Sequence, residues 1–134
     1  MTAPDLSAEI AAFRQAHPDI IAVDALLPDL CGVFRGKRVP IAELDKLYKE
    51  GVALPGCTFA VDITGDTVEE TGMSVEKGVP DRVCRPVPGT LTRVPWSAKP
   101  LGQVLLSMRG EDGGPFPYAP RSLVETLQAA LRQR

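Results

Sequence analysis

Leu6, Ile10 and Phe13 fall on one face of a helical wheel, and Ser7 stands where a side chain can cap the first free amides; the pattern predicts a helix over residues 7–16, stopped by Pro18. The next stretch, Ile20 to Leu27, is apolar on both parities with Asp24 as its one charge, the pattern of a central strand covered on both faces. Pro28, Asp29 and Gly32 supply turn chemistry before a second strand, Val33 to Val39, so the two are expected to pair as an antiparallel hairpin. After Pro40, the residues Ile41, Leu44, Leu47 and Tyr48 return to helical spacing, and Gly51 can take the left-handed conformation that ends a helix. Period two resumes from Cys57 to Ile63, with Phe59, Val61 and Ile63 on one side, which predicts a third strand.

Residues 64–79 lose this periodicity and gain charge: Asp66, Glu69, Glu70 and Glu76 face only Lys77. A loop of that length inside a domain tends to be functional or mobile, so it is the first place to look for a partner surface. Beyond it, Pro80, Pro86, Pro88, Pro95 and Pro100 punctuate short extended pieces around Val83 and Leu91, which read as edge strands because proline enters sheets mainly at edges and ends. Leu101 to Met108 reads as a stronger strand with Val104, Leu106 and Met108 inward. Pro120 then opens a last helix whose apolar stripe is Leu123, Leu127, Ala130 and Leu131, with Arg132 and Arg134 suited to its negative end.

No repeat or flexible linker divides the chain, so residues 1–134 are expected to form one domain. Its class is α+β: a β-grasp mixed sheet with a packed helix and an added helix at each end.

Composition narrows the function classes. With 44% apolar and 24% charged residues the chain is an ordinary globular sequence, and a formal charge of −2 gives no overall attraction to nucleic acid or anionic membranes. Apolar runs such as Ile20 to Val23 are far below the ~20 residues of a membrane helix, and no basic, then apolar, leader opens the chain. A cytoplasmic protein with neither membrane nor nucleic-acid partners is expected. Cys31, Cys57 and Cys84 are odd in number and lack paired C-x-x-C spacing, which favours reduced thiols, mostly buried.

Candidate chemistry is sparse. Gly32 to Arg38, read as GVFRGKR, hints at a phosphate loop, but it has three residues between its glycines rather than four, lacks Ser or Thr after the lysine, and lies inside a hairpin strand. Strand alternation splits its basic residues, Arg35 and Lys37 on one face and Arg38 on the other, so they read as a salt-bridged or subunit-facing strand. His17, the only histidine, closes a helix, which leaves no base for a Ser/His or Cys/His pair. Asp62, Asp66, Glu69, Glu70, Glu76 and Asp81 match no calcium loop and read as a solvated acidic surface. Trp96, the sole tryptophan, is either a core or an interface anchor. Neither a catalytic residue nor a metal site is expected in the chain.

The order of several pieces is informative: Ile21-Ala-Val-Asp24; Asp29-Leu-Cys-Gly32 with Arg35-Gly36-Lys37; Gly51 to Phe59, read as GVALPGCTF; Pro80-Asp81, Pro86 and Thr90; Val94-Pro95-Trp96; and Pro120-Arg121-Ser122 opening the last helix. In that order and spacing the chain resembles, over nearly its whole length, the N-terminal β-grasp domain of the glutamine synthetase family. The resemblance implies an accessory half that packs against a catalytic domain, its own C-terminal domain or that of a neighbouring subunit, closing an active site at a subunit interface of a homo-oligomer. It also implies ATP with Mg or Mn for the complete enzyme, none of them held by this domain. Leu54, Pro55, Gly56, Cys57, Thr58 and Trp96 become the substrate-loop and interface candidates, and the turn over residues 51–58, with the acidic loop after it, is expected to stand exposed.

Ammonia-using members of the family carry an aspartate before the glycine of that turn, where this chain has Pro55, and tend to carry another where it has Val87. The Leu-Pro-Gly turn and the Val-Pro-Trp run resemble instead the members that ligate glutamate to amines, the γ-glutamylpolyamine synthetase-like enzymes. The resemblance therefore implies part of an ATP-dependent glutamate–amine ligase, inactive as this domain alone. A stand-alone β-grasp module that binds partners by strand addition is the other reading.

Overall fold

The computed structural model describes residues 5–74, 76 and 78–133. Helix α1 spans Leu6–Ala16 and is capped by Asp5 rather than Ser7: Asp5 Oδ1 accepts the amides of Ser7 and Ala8 at 3.0 and 3.1 Å. Ser7 lies inside the first turn, where its own amide is one of the donors. Replacing Asp5 by alanine should leave both amides to water and cost about 1 kcal/mol of stability, read from urea melts of the two proteins.

Strands β1 (Ala22–Pro28) and β2 (Phe34–Pro40) form the expected antiparallel hairpin, with Ala22 opposite Pro40 and Pro28 opposite Phe34. A 3-10 turn, Ile41–Glu43, leads into α2, Leu44–Glu50. Gly51 ends it at φ +80° and ψ −168°, a positive φ with extended ψ rather than the left-handed helical conformation expected. A side chain there would also meet Cys84 O at 2.6 Å, so glycine is required for space as well as for backbone angle.

Two strand expectations are corrected after this point. The third strand, β3, is Val52–Pro55, and residues 57–60 of the expected strand wind, with Gly56, into a 3-10 turn, Gly56–Ala60. Pro55 and Gly56 interrupt the extension, and Thr58 Oγ1 donates to Pro55 O at 2.6 Å, closing the turn. Cys57, Phe59 and Ala60 are all buried, so the period-two pattern reflected a turn pressed into the core from several sides. Strand β4, Asp81–Pro86, is no edge: it lies between β3 and β6 (Leu101–Met108), with prolines only before and at its end. Two-residue β5, Thr92–Arg93, pairs β6 across that strand from the start of β1.

The sheet runs β2-β1-β6-β4-β3 with β5 on the β4 side of β6; β1 and β6 are parallel and the other pairs antiparallel. This is a β-grasp arrangement, and the α+β class holds. Val23, Ala25 and Leu27 of β1, with Val104, Leu106 and Met108 of β6, turn one face toward Ile10 and Phe13 of α1 and Leu44, Leu47 and Tyr48 of α2, and all join one buried cluster. Burying a side chain of this size stabilises by about 1.5–3 kcal/mol. On the opposite face Ala22, Val94 and Leu101 form a small buried cluster and Ser107 is buried, while Asp24 and Leu26 remain half-buried. The expected double covering of the central strand is thus complete on one face only.

The last helix, α3 (Pro120–Arg132), follows the expected boundaries but not the expected packing. Leu123, Leu127 and Leu131 are 55–69% exposed and Ser122 is the helix's buried residue, so its apolar stripe faces away from the core. Lys77 and Arg134 lie outside the described residues. No helix among the described residues is long and apolar enough to cross a membrane.

Candidate functional site

Leu54, Pro55, Cys57 and Thr58 line one cavity of about 350 Å³, together with Arg35 and Gly36 of β2, Val61, and Gly65 and Thr67 of the acidic segment. The turn is less exposed than expected, since β3 is paired to β4 and Leu54, Gly56 and Cys57 are buried. Gly56 packs behind it, where a side chain would crowd Val79 and the Pro80 carbonyl. Trp96 is 76% exposed and outside this cavity: it follows β5, at the end of the sheet where β1 and β6 begin, whereas Gly36 pairs with Leu26 near the end of β1. Trp96 is therefore no core residue, and five of the six candidates are brought together while it stands apart. A larger hollow of about 540 Å³, between Arg82, Glu111 and Tyr118, contains none of them.

The cavity is organised by a buried carboxylate. Asp29, its side chain fully buried, accepts the amides of Cys31 and Val33 on Oδ1 at 2.9 and 2.8 Å and Arg35 Nε on Oδ2 at 2.7 Å. Arg35 Nη2 then donates to Asp62 O at 2.9 Å, binding the hairpin to the acidic segment. Burial is the largest influence on the Asp29 carboxyl and pushes its pKa up; the hydrogen bonds from Arg35, Val33 and Cys31, with the guanidinium charge, outweigh it and leave it below the ordinary range. Asp29 was legible as turn chemistry and Arg35 as part of a basic strand. Their pairing was missed, and its only sequence signal was two opposite charges flanking one turn.

Asp62 does not project into the cavity from a strand. Its Oδ1 accepts the amides of Thr64, Gly65 and Asp66 at 2.8–3.0 Å and the Thr64 hydroxyl at 2.7 Å, and that hydroxyl bond is the leading cause of its lowered pKa. Among the described residues no acidic side chain lines the cavity, whose walls are apolar apart from Arg35, two threonines and backbone. Lys37 Nζ donates to Ala53 O at 3.0 Å and Arg38 pairs with Asp24 on the other face at 2.7 and 2.9 Å, as alternation and the salt-bridged reading of this strand require. Cys84 is buried, which pushes its thiol up to about 12 against the opposing charge of Lys37; Cys57 is also buried and Cys31 exposed. Among the described residues no three His, Cys, Asp or Glu gather to hold a metal ion.

No family model matches the chain. It is 48% identical, over 94% of its length, to gamma-glutamylputrescine synthetase PuuA of Escherichia coli (strain K12), and spans 26% of that protein. To gamma-glutamylethanolamide synthetase GlnA4 of Streptomyces coelicolor it is 33% identical over 90% of its length, again spanning 26% of the relative. Among solved structures, a novel glutamine synthase homolog aligns with 80% of the chain at a TM-score of 0.69 and 25% identity, the chain covering 25% of that protein. The chain thus spans about a quarter of the length of the relatives it matches. The ordered sequence pieces, the β-grasp sheet and these likenesses agree: the chain is a glutamine synthetase-family N-terminal domain, close to the γ-glutamylpolyamine synthetases.

Proposed function

We propose that this domain serves an ATP-dependent ligase that joins an organic amine, in preference to ammonia, to the γ-carboxyl of glutamate. It does so by presenting the Leu54–Thr58 turn to an active site completed by a catalytic domain, its own or a neighbouring subunit's. The observation that carries this reading is the 48% identity to a γ-glutamylputrescine synthetase across 94% of the chain. The cavity's chemistry agrees with it. Ammonium is a small cation that must be held by charge and lose a proton before its nitrogen attacks an acyl phosphate, and a carboxylate serves both needs. Pro55 offers none, and the Asp62 carboxylate is engaged in its own turn. An amine brings methylenes that can be desolvated against Leu54, Pro55 and Val61 at about 0.8 kcal/mol each.

ATP and its Mg or Mn are assigned in this reading to the catalytic domain, because the described residues gather no ligand set for a metal. The 134-residue chain alone should therefore neither hydrolyse ATP nor form a γ-glutamyl product. The test compares kcat/KM of the complete enzyme for ammonia and for a panel of mono- and polyamines, in the unmutated protein and in Pro55→Asp. The best amine should exceed ammonia by tenfold or more, an advantage of about 1.4 kcal/mol that two buried methylenes supply, and Pro55→Asp should narrow the gap. Ammonia outperforming every amine in the unmutated enzyme would sink the proposal.

A further inference from the structure

We propose that the hollow between Arg82, Glu111 and Tyr118 binds a free α-amino acid, and that it does so against the back of the turn over residues 54–58. The binding half of this inference is independent of the functional reading; its effect on catalysis rests on that reading. At about 540 Å³ the hollow falls in the size range of small-molecule pockets. Three kinds of chemistry meet in its walls. Arg82 brings a guanidinium on a side chain only 20% exposed, and Glu111 and Asp112 bring carboxylates from exposed positions in the loop over residues 110–114. Phe116 and Tyr118 bring two rings, edge to face with centroids 5.6 Å apart.

The guanidinium is incompletely used. Glu111 Oε1 accepts from Arg82 Nη1 at 2.6 Å, whereas Arg82 Nε is shut off from solvent and has no acceptor among the described residues. A buried donor left unmet is costly. The Glu111 side chain is 77% exposed, so its contact is weakly held and can give way to water or to a ligand. A ligand carboxylate that grips the fork through two nitrogens supplies the missing acceptor, in the bidentate geometry for which arginine is suited. Asp112 gives Oδ1 to the Gly114 amide at 2.9 Å, which leaves Oδ2 for an ammonium group, and the two rings offer a flat apolar wall to a carbon chain. A carboxylate, an ammonium and a carbon chain on one small molecule are the features of an α-amino acid.

Two contacts tie the hollow to the turn. Arg82 stands opposite Leu54 in the pairing of β3 with β4, and its stem lies behind Gly56, where an added Cβ would sit 3.7 Å from Arg82 Cγ. Phe116 stacks on Phe59 of the 3-10 turn Gly56–Ala60, with ring centroids 5.8 Å apart. A ligand that fixes Arg82 and Phe116 therefore bears on the turn, and by reciprocity an occupied turn bears on the ligand.

The site is tested by NMR on the isotope-labelled 134-residue chain, titrated with a panel of L-amino acids and with acetate and butylamine as half-ligands, and read from the amide shifts of residues 110–118. At least one amino acid should bind with a Kd near about 1 mM or below, and about tenfold or more tightly than either half-ligand. Arg82→Lys, which keeps the charge but loses the fork, and Asp112→Asn should each weaken binding about tenfold in proteins whose amide spectra remain those of the folded chain. Three results would overturn the proposal: no amino acid moves these amides, acetate binds as tightly as the best amino acid, or binding is indifferent to both substitutions. In the complete enzyme, the best-binding amino acid other than glutamate should change KM for the amine by about twofold or more without competing with glutamate, and Arg82→Lys should remove that effect. A KM that does not respond would overturn the coupling to the turn. Binding intact in the 134-residue chain, beside a complete enzyme inert toward amines, would retire the functional reading and leave the site standing.

Discussion

Gly36→Ala should leave little folded protein at 25 °C. Gly36 sits in β2 opposite Leu26, and a Cβ built on it would lie 1.8 Å from Ala25 O and 2.9 Å from Ala25 C. Both are backbone atoms of the central strand, whose other edge is held by β6, so neither can swing aside as a side-chain tip would. Relief requires parting the hairpin, which loses ladder hydrogen bonds and opens the Val23, Ala25 and Leu27 face. A loss above about 4 kcal/mol is expected, enough to consume much of the stability of an ordinary domain. Gly113→Ala is the comparison: its φ is +78° but nothing lies within 4 Å of the added methyl, so backbone strain alone should cost on the order of 1 kcal/mol. Thermal and urea melts of both variants decide the matter. A Gly36→Ala protein as stable as Gly113→Ala would mean that the two strands do not approach this closely.

Asp29→Ala should cost about 3–5 kcal/mol, the range for breaking a buried ion pair by removing one partner. Three donors lose their acceptor at once: the amides of Cys31 and Val33 and the Arg35 guanidinium. Asp29→Asn should cost less, because its amide oxygen can still accept from the two backbone groups and Arg35, 27% exposed at its side chain, can turn toward water. The pH dependence has a definite sign. The Asp29 pKa is lower in the folded chain than in the unfolded one, so its stabilisation is complete above the unfolded pKa near 4 and drains away as pH falls through the folded value. The stability gap between the unmutated protein and Asp29→Asn should thus be widest at neutral pH and shrink below pH ~4. A gap independent of pH would show that the charge of Asp29 contributes nothing. Because Arg35 also holds Asp62 O, both variants should loosen the cavity and, under the proposed function, raise KM for the amine in the complete enzyme before the fold itself is lost.

The sequence by itself determined the hairpin, the helix after it and the long strand Leu101–Met108, because each combines a clear period with turn or capping residues at its ends. It also carried the family likeness, since motif order along a chain is a one-dimensional property. Tertiary structure decided the rest. Cys57 to Ile63 alternated like a strand, yet Pro55, Gly56 and the Thr58 hydroxyl turned its first half into a 3-10 turn buried on several sides. β4 looked like an edge because of its prolines, and became an inner strand because they fall before it and at its end. The Asp29–Arg35–Asp62 tie and the grouping of Leu54, Pro55, Cys57 and Thr58 around one cavity depend on how distant segments meet. The stripe on α3 shows the limit most directly. Periodicity reveals that a helix has an apolar face, but only the packed structure shows whether the same domain covers it, because covering is a property of neighbours in space rather than along the chain.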